Sequence, residues 1–254
     1  MGARAQCVLA PNAGPMTLDG TNTWVLLEPG SARAVVVDPG PDDPRHLAAV
    51  VAAAAARDAA VVTILLTHGH PDHSEGARSL AALTGSGVRA LDPAHRLGPE
   101  GLADGEVVDV AGLVIRVVGT PGHTSDSLTF LVPAEGAMLT GDTVLGRGST
   151  LVAYPDGQLG DYLASLQRLA DLAAGGAGSV WPGHGPVLDD GPGAIAAYVE
   201  HRRVRLAQVK AALVQGAVTA REVVALVYAD VPENLWPAAE LSVQAQLSYL
   251  SSPD

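Results

Sequence analysis

The sequence predicts an α/β fold in which sheets are covered by helices on their outer faces. Three observations lead there. Short β-prone runs alternate with helical segments, yet some come in hairpins. Strand-length apolar runs end again and again in loops rich in Gly or Pro, which lets several backbones converge at one set of strand ends. From Pro192 onward the strand signal stops and only helical periodicity is left.

In chain order, residues 23–27 and 33–37 are β-prone, separated by the turn signal Glu28-Pro29-Gly30-Ser31. The second run ends in Asp38-Pro39-Gly40-Pro41. Alanine-rich residues 44–56, with Leu47, Val50 and Val51, predict a helix. Residues 61–66 form a continuous apolar run suited to a strand covered on both faces. Residues 74–83 then read as a short helix capped by Ser74. Strands are expected at 87–90, 106–110 and 113–118, and a hairpin at 127–132 and 137–140. Residues 159–173 make an amphipathic helix, and Val180 leads into Trp181-Pro182-Gly183-His184-Gly185-Pro186. In the tail, helices are expected at 194–215, at 219–228 behind the capping box Thr219-Ala220-Arg221-Glu222, and at 235–250. A boundary near residue 190 divides the chain into a catalytic domain, 1–190, and a C-terminal helical domain, 191–254.

About half the residues are hydrophobic, enough for a sizeable core, and aromatics are few. The net charge of −12 argues against a general nucleic-acid binder, which usually carries a basic face. The single cysteine, Cys7, permits no internal disulfide and is expected to be a small buried side chain. Met1-Gly2-Ala3-Arg4-Ala5 is not followed by an apolar segment of signal-peptide type, and no apolar run is long enough to span a membrane. The expectation is a cytoplasmic protein without a membrane partner.

Chemistry concentrates in Thr67-His68-Gly69-His70-Pro71-Asp72-His73, directly after an apolar strand. Of eight histidines, five lie in three such loops: His68, His70, His73, His123 and His184. Two carboxylates, Asp72 and Asp142, lie in similar loops. Nitrogen and carboxylate donors without thiolate suit zinc first, with iron or manganese as alternatives. Seven donors are too many for one tetrahedral ion and suit two ions sharing a bridge. His68 and His70 are two apart at a strand end and can point the same way. Asp72 and His73 lie past Pro71 and can reach a second point. Two divalent ions about 3.5–4 Å apart can share a hydroxide. Asp38, ending a strand, is either a turn former or a group that orients a metal-bound imidazole. His46 reads as a surface residue opening a helix, His95 as part of a polar loop, and His201 as structural or solvated, or else as lying near the site.

These motifs resemble the metallo-β-lactamase superfamily, whose Thr-His-x-His-x-Asp-His signature stands at residues 67–73. Pro121-Gly122-His123-Thr124, Thr140-Gly141-Asp142-Thr143 and Pro182-Gly183-His184-Gly185 follow in the expected order. The resemblance implies an αββα sandwich with the site at one edge. It implies that His68, His70 and His123 hold a first metal, that Asp72, His73 and His184 hold a second, and that Asp142 bridges. Authentic metallo-β-lactamases lack the bridging aspartate, and several use a cysteine ligand, which turns the expectation away from antibiotic degradation. Diiron flavoproteins of this fold carry Glu where this chain has His70. Glyoxalase II and mononuclear-iron persulfide dioxygenases share the core motifs, but no counterpart of the glyoxalase II glutathione-binding tail is evident. The nearest likeness is to the lactamase-β-like-2 subgroup, which includes an animal mitochondrial endoribonuclease and bacterial relatives. It rests on residues 12–23, on Gly141-Asp142-Thr143-Val144-Leu145-Gly146 and on residues 181–187. It continues through His201-Arg202 and Val231-Pro232-Glu233-Asn234-Leu235. In that subgroup the tail resembles a winged helix. Here the chain stops at Ser251-Ser252-Pro253-Asp254, so a truncated version without the β wing is expected.

The function expected is hydrolysis by a metal-bridging hydroxide, with Asp72 and Asp142 as the catalytic carboxylates. The expected partner is a small ester, thioester or lactone. Asn22, Thr23 and Ser149 either contact it or merely satisfy turns. Two other readings compete. One is an endoribonuclease on single-stranded RNA, with a basic stripe of Arg202, Arg203, Arg205 and Lys210. The other is a mononuclear iron persulfide dioxygenase.

Overall fold

The computed structural model describes residues 2–251. Met1 and the terminal residues 252–254, on which the expectations for the chain's two ends partly rest, lie outside the described residues. Two mixed five-stranded sheets face each other. The first runs in the order β1 (Ala5–Leu9), β2 (Asn22–Leu26), β3 (Arg33–Val37), β4 (Ala60–Leu65) and β5 (Gly87–Arg89). The second runs β10 (Ser179–Pro182), β9 (Ala137–Gly141), β8 (Leu128–Val132), β7 (Leu113–Gly119) and β6 (Val107–Val110).

Alternation along the strands explains the layering. Leu26, Val35, Val37 and Leu65 face Ile115, Val117, Phe130 and Leu139 in the core between the sheets. Trp24 and Trp181 stack there with ring centroids 5.0 Å apart. The alternate residues Val25, Val36 and Ile64 point outward onto α1 (Pro44–Ala55) and α3 (Ala77–Thr84). Strands covered on both faces read as continuous apolar runs, as residues 61–66 do. Met138 and Val180 of the second sheet lie under Tyr162, Leu166 and Leu169 of α4 (Leu159–Ala174) and Ile195 of α5 (Gly191–Val214). The expected αββα sandwich is therefore the observed one.

The tail is helical as expected. The second half of α5 packs with α6 (Ala220–Val227) and α7 (Trp236–Ser251) around Val209, Val223, Val224 and Val243. The capping box at Thr219 and Glu222 is present. Among the described residues the tail adds no strand. The first half of α5 belongs to the sandwich, since Ile195 and Tyr198 lie in the cluster under α4. Among the described residues no helix is long and apolar enough to cross a membrane.

Three local expectations are corrected. The helix expected over residues 74–83 is two helices, α2 (Pro71–Ser74) and α3, because Pro71 opens the first turn inside the histidine loop. Ser74 caps neither helix; its hydroxyl donates to the Gly69 carbonyl at 2.9 Å and so braces the loop. His46 is not a surface residue. It is buried on the inner face of α1, with Nε2 2.9 Å from the Thr23 hydroxyl.

The connections decide where the site lies. β3 and β4 are parallel, as are β9 and β10. Their C-terminal ends emerge on one edge, carrying Asp38, the 67–73 loop, Asp142 and His184.

Candidate metal centre

At that edge the seven expected side chains converge. Three groups of donor atoms each fit within 4.8 Å: His68, His70 and His123; His68, His73 and Asp142; and Asp72, His73 and His184. Nδ1 of His70 lies 3.1 Å from Nε2 of His68 and 3.0 Å from Nε2 of His123. Nε2 of His184 lies 3.2 Å from Nε2 of His73 and 3.1 Å from Oδ2 of Asp72. Asp142 stands between the groups, with Oδ1 3.3 Å from His73 Nε2 and Oδ2 3.8 Å from His123 Nε2.

What fixes the imidazoles is behind them. The Asp38 carboxylate accepts from the Thr67 amide at 2.8 Å, from the Thr67 hydroxyl at 2.6 Å and from His73 Nδ1 at 2.9 Å. The Thr67 oxygen, its proton spent on Asp38, accepts from His68 Nδ1 at 3.1 Å. Asp38 thus orients one imidazole directly and a second through Thr67. Its φ of 51° is left-handed, a conformation that aspartate tolerates better than most residues. Nδ1 of His123 donates to the Leu151 carbonyl at 2.7 Å, and Nδ1 of His184 to the Gly20 carbonyl at 3.1 Å. In each of these four residues an oxygen acceptor holds Nδ1, so Nε2 faces the cluster and offers its lone pair there when the ring is neutral.

Imidazole nitrogens meet here across 3.0–3.2 Å, where each contact can hold at most one proton. Oδ1 of Asp142 is buried without a hydrogen-bond partner. An orphaned carboxylate oxygen among converging imidazole nitrogens is what a divalent cation satisfies, and the donor set suits zinc, iron or manganese. The residues fit metal ions.

Without metal the charges couple strongly. Burial opposes the charged form of His73, but Asp142 and Asp38 outweigh it and hold its pKa well above the ordinary value. Burial is likewise outweighed at His184 by Asp142 and Asp72, which push it up to about 9. Burial, reinforced by His73 and His123, depresses His68 well below its usual range. Burial should raise Asp142, yet His73 and His184 hold its carboxyl well below the carboxylate range.

Close packing sets this edge as much as charge does. A Cβ added at Gly183 would lie 2.6 Å from Asp142 Oδ1 and 2.6 Å from His73 Cε1. The ring of His95 rests against Gly69, within 2.3 Å of where a Cβ would stand. His95 therefore closes over the histidine loop and is no mere loop residue, although it belongs to none of the three donor groups.

Two of the three other expected contacts, Asn22 and Thr23, are bonded to the backbone. Asn22 donates to the carbonyls of Pro182 and Gly185 at 3.0 and 2.8 Å, and the Thr23 hydroxyl to the Asp38 carbonyl at 2.7 Å. Ser149 is exposed and lines the mouth of the site beside His123, Asp142 and Arg147. Cys7 is only half-buried, with Sγ 3.5 Å from Asn22 Oδ1, and desolvation raises its thiol to about 11. Residues 202–210 form no exposed stripe, because Arg202 is 6% exposed and Arg203 pairs with Glu200 at 2.6 Å. Thr67, Thr150 and the carbonyls of Gly20 and Leu151 are orienting groups that the sequence does not announce. Only Thr67 carries a signal, its place in the signature.

Comparison with known proteins agrees with this geometry. A family model described as the metallo-beta-lactamase superfamily matches residues 16–184, and one described as a beta-lactamase associated winged helix domain matches residues 219–252. The Drosophila melanogaster beta-lactamase-like protein 2 homolog is 35% identical over 261 residues, covering 96% of this chain and 86% of that protein. The lactamase-like protein aptB of Emericella nidulans is 34% identical over 240 residues, covering 90% of this chain and 74% of that protein. Among solved structures, a metallo-beta-lactamase family protein from Thermus thermophilus superposes with a TM-score of 0.79 at 26% identity, covering 97% of this chain and 92% of that one. Motif order, sandwich, donor cluster and relatives agree: the chain belongs to the metallo-β-lactamase superfamily, a family of generally hydrolytic metalloenzymes.

Proposed function

We propose that this hydrolase is binuclear and acts on a small ester, thioester or lactone. His68, His70 and His123 would hold one ion, Asp72, His73 and His184 a second, with Asp142 shared and zinc the metal that best suits the donors. One observation carries the reading. Seven donors fall into three overlapping groups that share His68 and His73, more than a single ion takes up.

When bound, two such ions supply a Lewis acid for the scissile carbonyl and lower the pKa of water toward neutrality. The chain's own residues do the rest. Asp38, Thr67 and the carbonyls of Leu151 and Gly20 hold the imidazole rings in one tautomer. Asp142 stays anionic, and its Oδ1, 3.3 Å from His73 Nε2, would be the acceptor for a proton on attacking water. Asp72 is half-buried and anchored by His184, so it can accept a second hydrogen bond at the mouth.

The Asp72, His73 and His184 group speaks against a site built for one iron, and hence against persulfide oxidation. The buried Arg202 and paired Arg203 favour a small substrate over single-stranded RNA. In this reading residues 1–190 are the catalytic domain, and residues 191–254 are a helical domain that helps to shape the substrate's surroundings. The test is a parallel assay of thioesters, esters, lactones and a labelled single-stranded RNA on metal-defined protein. Turnover of a small acyl substrate is expected. Cleavage of RNA alone would overturn the assignment.

A further inference from the structure

The chain carries a net charge of −12, yet one crevice near the centre is lined by cationic and imidazole side chains and by no acid. It has a volume of about 200 Å³ and lies between the 149–151 segment and the C-terminal helices. His201, Arg202 and Arg205 contribute its polar side, and Leu151, Tyr228 and Leu235 its apolar side.

Arg202 is unusual. It is 6% exposed, and among the described residues no carboxylate pairs with it. One guanidinium nitrogen donates to the Thr150 carbonyl, the group stacks 4.7 Å over the Tyr162 ring, and Nε has no partner. Nδ1 of His201 is also buried without a partner. Arg205 stacks 4.3 Å over Tyr228 and donates to the Val227 carbonyl at 2.8 Å, again without a carboxylate. Buried cations are normally paired, and buried N–H groups normally bonded. One guanidinium and one imidazole with an unpartnered nitrogen, and a second, half-buried guanidinium without a carboxylate, meet on a crevice lined by no acid, and together they define a place for an anion.

The crevice adjoins the metal centre. A second cavity of about 230 Å³ holds His123 and Asp142 and shares Met16, Ser149, Thr150 and Leu151 with the first. The wall between them touches both sides. The Thr150 hydroxyl donates to the Asp142 carbonyl at 2.8 Å while its own carbonyl accepts from Arg202, and the Leu151 carbonyl holds His123. A ligand reaching from one cavity into the other would place one end at the metals and the other at Arg202 and Arg205.

We propose that this crevice is the substrate's recognition subsite, and that it selects an apolar body bearing a carboxylate remote from the scissile acyl bond. The proposal rests on the small-acyl hydrolase reading. Arg202 and Arg205 then act as specificity residues that touch the substrate, and Leu151, Tyr228 and Leu235 cover its apolar part.

The test is calorimetric titration of the metal-loaded protein with 4-phenylbutyrate and with its neutral amide. The carboxylate should bind at least about tenfold more tightly. Arg205→Met should remove most of that preference, and so should His201→Leu, each with its melting temperature checked. Arg202→Met is the direct variant, but it also removes the Thr150 and Tyr162 contacts, so the other two variants decide the outcome. In the unaltered protein the His201 ring resonances should move on adding the carboxylate and stay in place on adding the amide. Equal affinity for the two probes overturns the proposal, as does a preference that survives in folded Arg205→Met and His201→Leu, which would put the carboxylate on the metals. Binding is read without turnover, so the two readings fail separately. A protein inert to every acyl substrate that still prefers the carboxylate sinks the hydrolase and leaves an anion site. One that hydrolyses esters without that preference does the reverse.

Discussion

Oδ2 of Asp38 lies 2.9 Å from Nδ1 of His73, and the same oxygen accepts the Thr67 hydroxyl that orients His68. One carboxylate outside the donor set thereby aims an imidazole into each proposed metal position. Asp38→Asn keeps the size and tolerates the left-handed backbone, but it offers N–H where two donors already point. Groups that orient ligands typically contribute about 10–100-fold in metal affinity or activity. A loss in that range, measured by competition with a chelator, is expected for Asp38→Asn with the fold retained. An unchanged affinity would show that the imidazoles need no such support.

Asp142 touches both halves of the cluster. Asp142→Ala should therefore lower bound metal from about two equivalents to about one and reduce hydrolysis by at least ~10²-fold. Metal analysis and steady-state rates on the same sample decide it. Two tightly held ions and full activity in the variant would remove Asp142 from the bridge.

Stability should depend on pH in opposite senses with and without metal. In the stripped protein His184 is raised to about 9, and His73 is raised in the same direction. A group whose pKa rises on folding stabilises fully below its unfolded value, near ~6.5, and loses that effect as pH climbs through the folded value. Asp142 and Asp72 are lowered, so their contribution is present above ~4 and lost below it. The depressed His68 and His123 stay neutral in the folded site and so cost stability below ~6.5. The stripped site thus stabilises most near pH ~6.5 and weakens from there toward pH 9, by on the order of a few kcal/mol. Metal ions need the same imidazoles deprotonated, so their stabilisation grows over that range. Melting temperatures of stripped and reloaded protein between pH 6 and 9 should diverge. Parallel curves would mean that these histidines hold no metal.

The sequence reveals donors and strands better than what surrounds them. His68, His70, Asp72, His73, His123, Asp142 and His184 are legible as candidate donors because a ligand must be one of a few residue types, here at the ends of apolar runs. The carbonyls of Leu151 and Gly20 are not, since any residue supplies a carbonyl. Arg202 reads as part of an outward stripe if its charge is weighed ahead of helical spacing, yet it shares the buried face of α5 with Ile195, Tyr198 and Val209. His46 misleads in the same way: it lies beside Leu47 and one turn before Val50 on the inner face of α1.

Gly183 offers the sharpest test of how tightly this edge is built. Its neighbours are the Asp142 carboxylate and the His73 ring, both within 2.6 Å of where a Cβ would stand. Neither is the loose end of a flexible chain, since Asp38 pins His73 and Asp142 sits on a loop braced by Thr150. Gly183→Ala must push one of them aside, and overpacking of this kind typically costs ~1–3 kcal/mol. The strain falls on Asp142, which the proposed ions share, and on His73 of the second ion, so metal affinity should drop with stability and a melting-temperature loss of several degrees should accompany it. Gly178→Ala is the control, because nothing lies within 4 Å of its added Cβ, and it should change neither quantity. If Gly183→Ala kept both its melting temperature and its metal, the carboxylate and the ring would have room to move, and Asp142 could not be held at a fixed position between two ions.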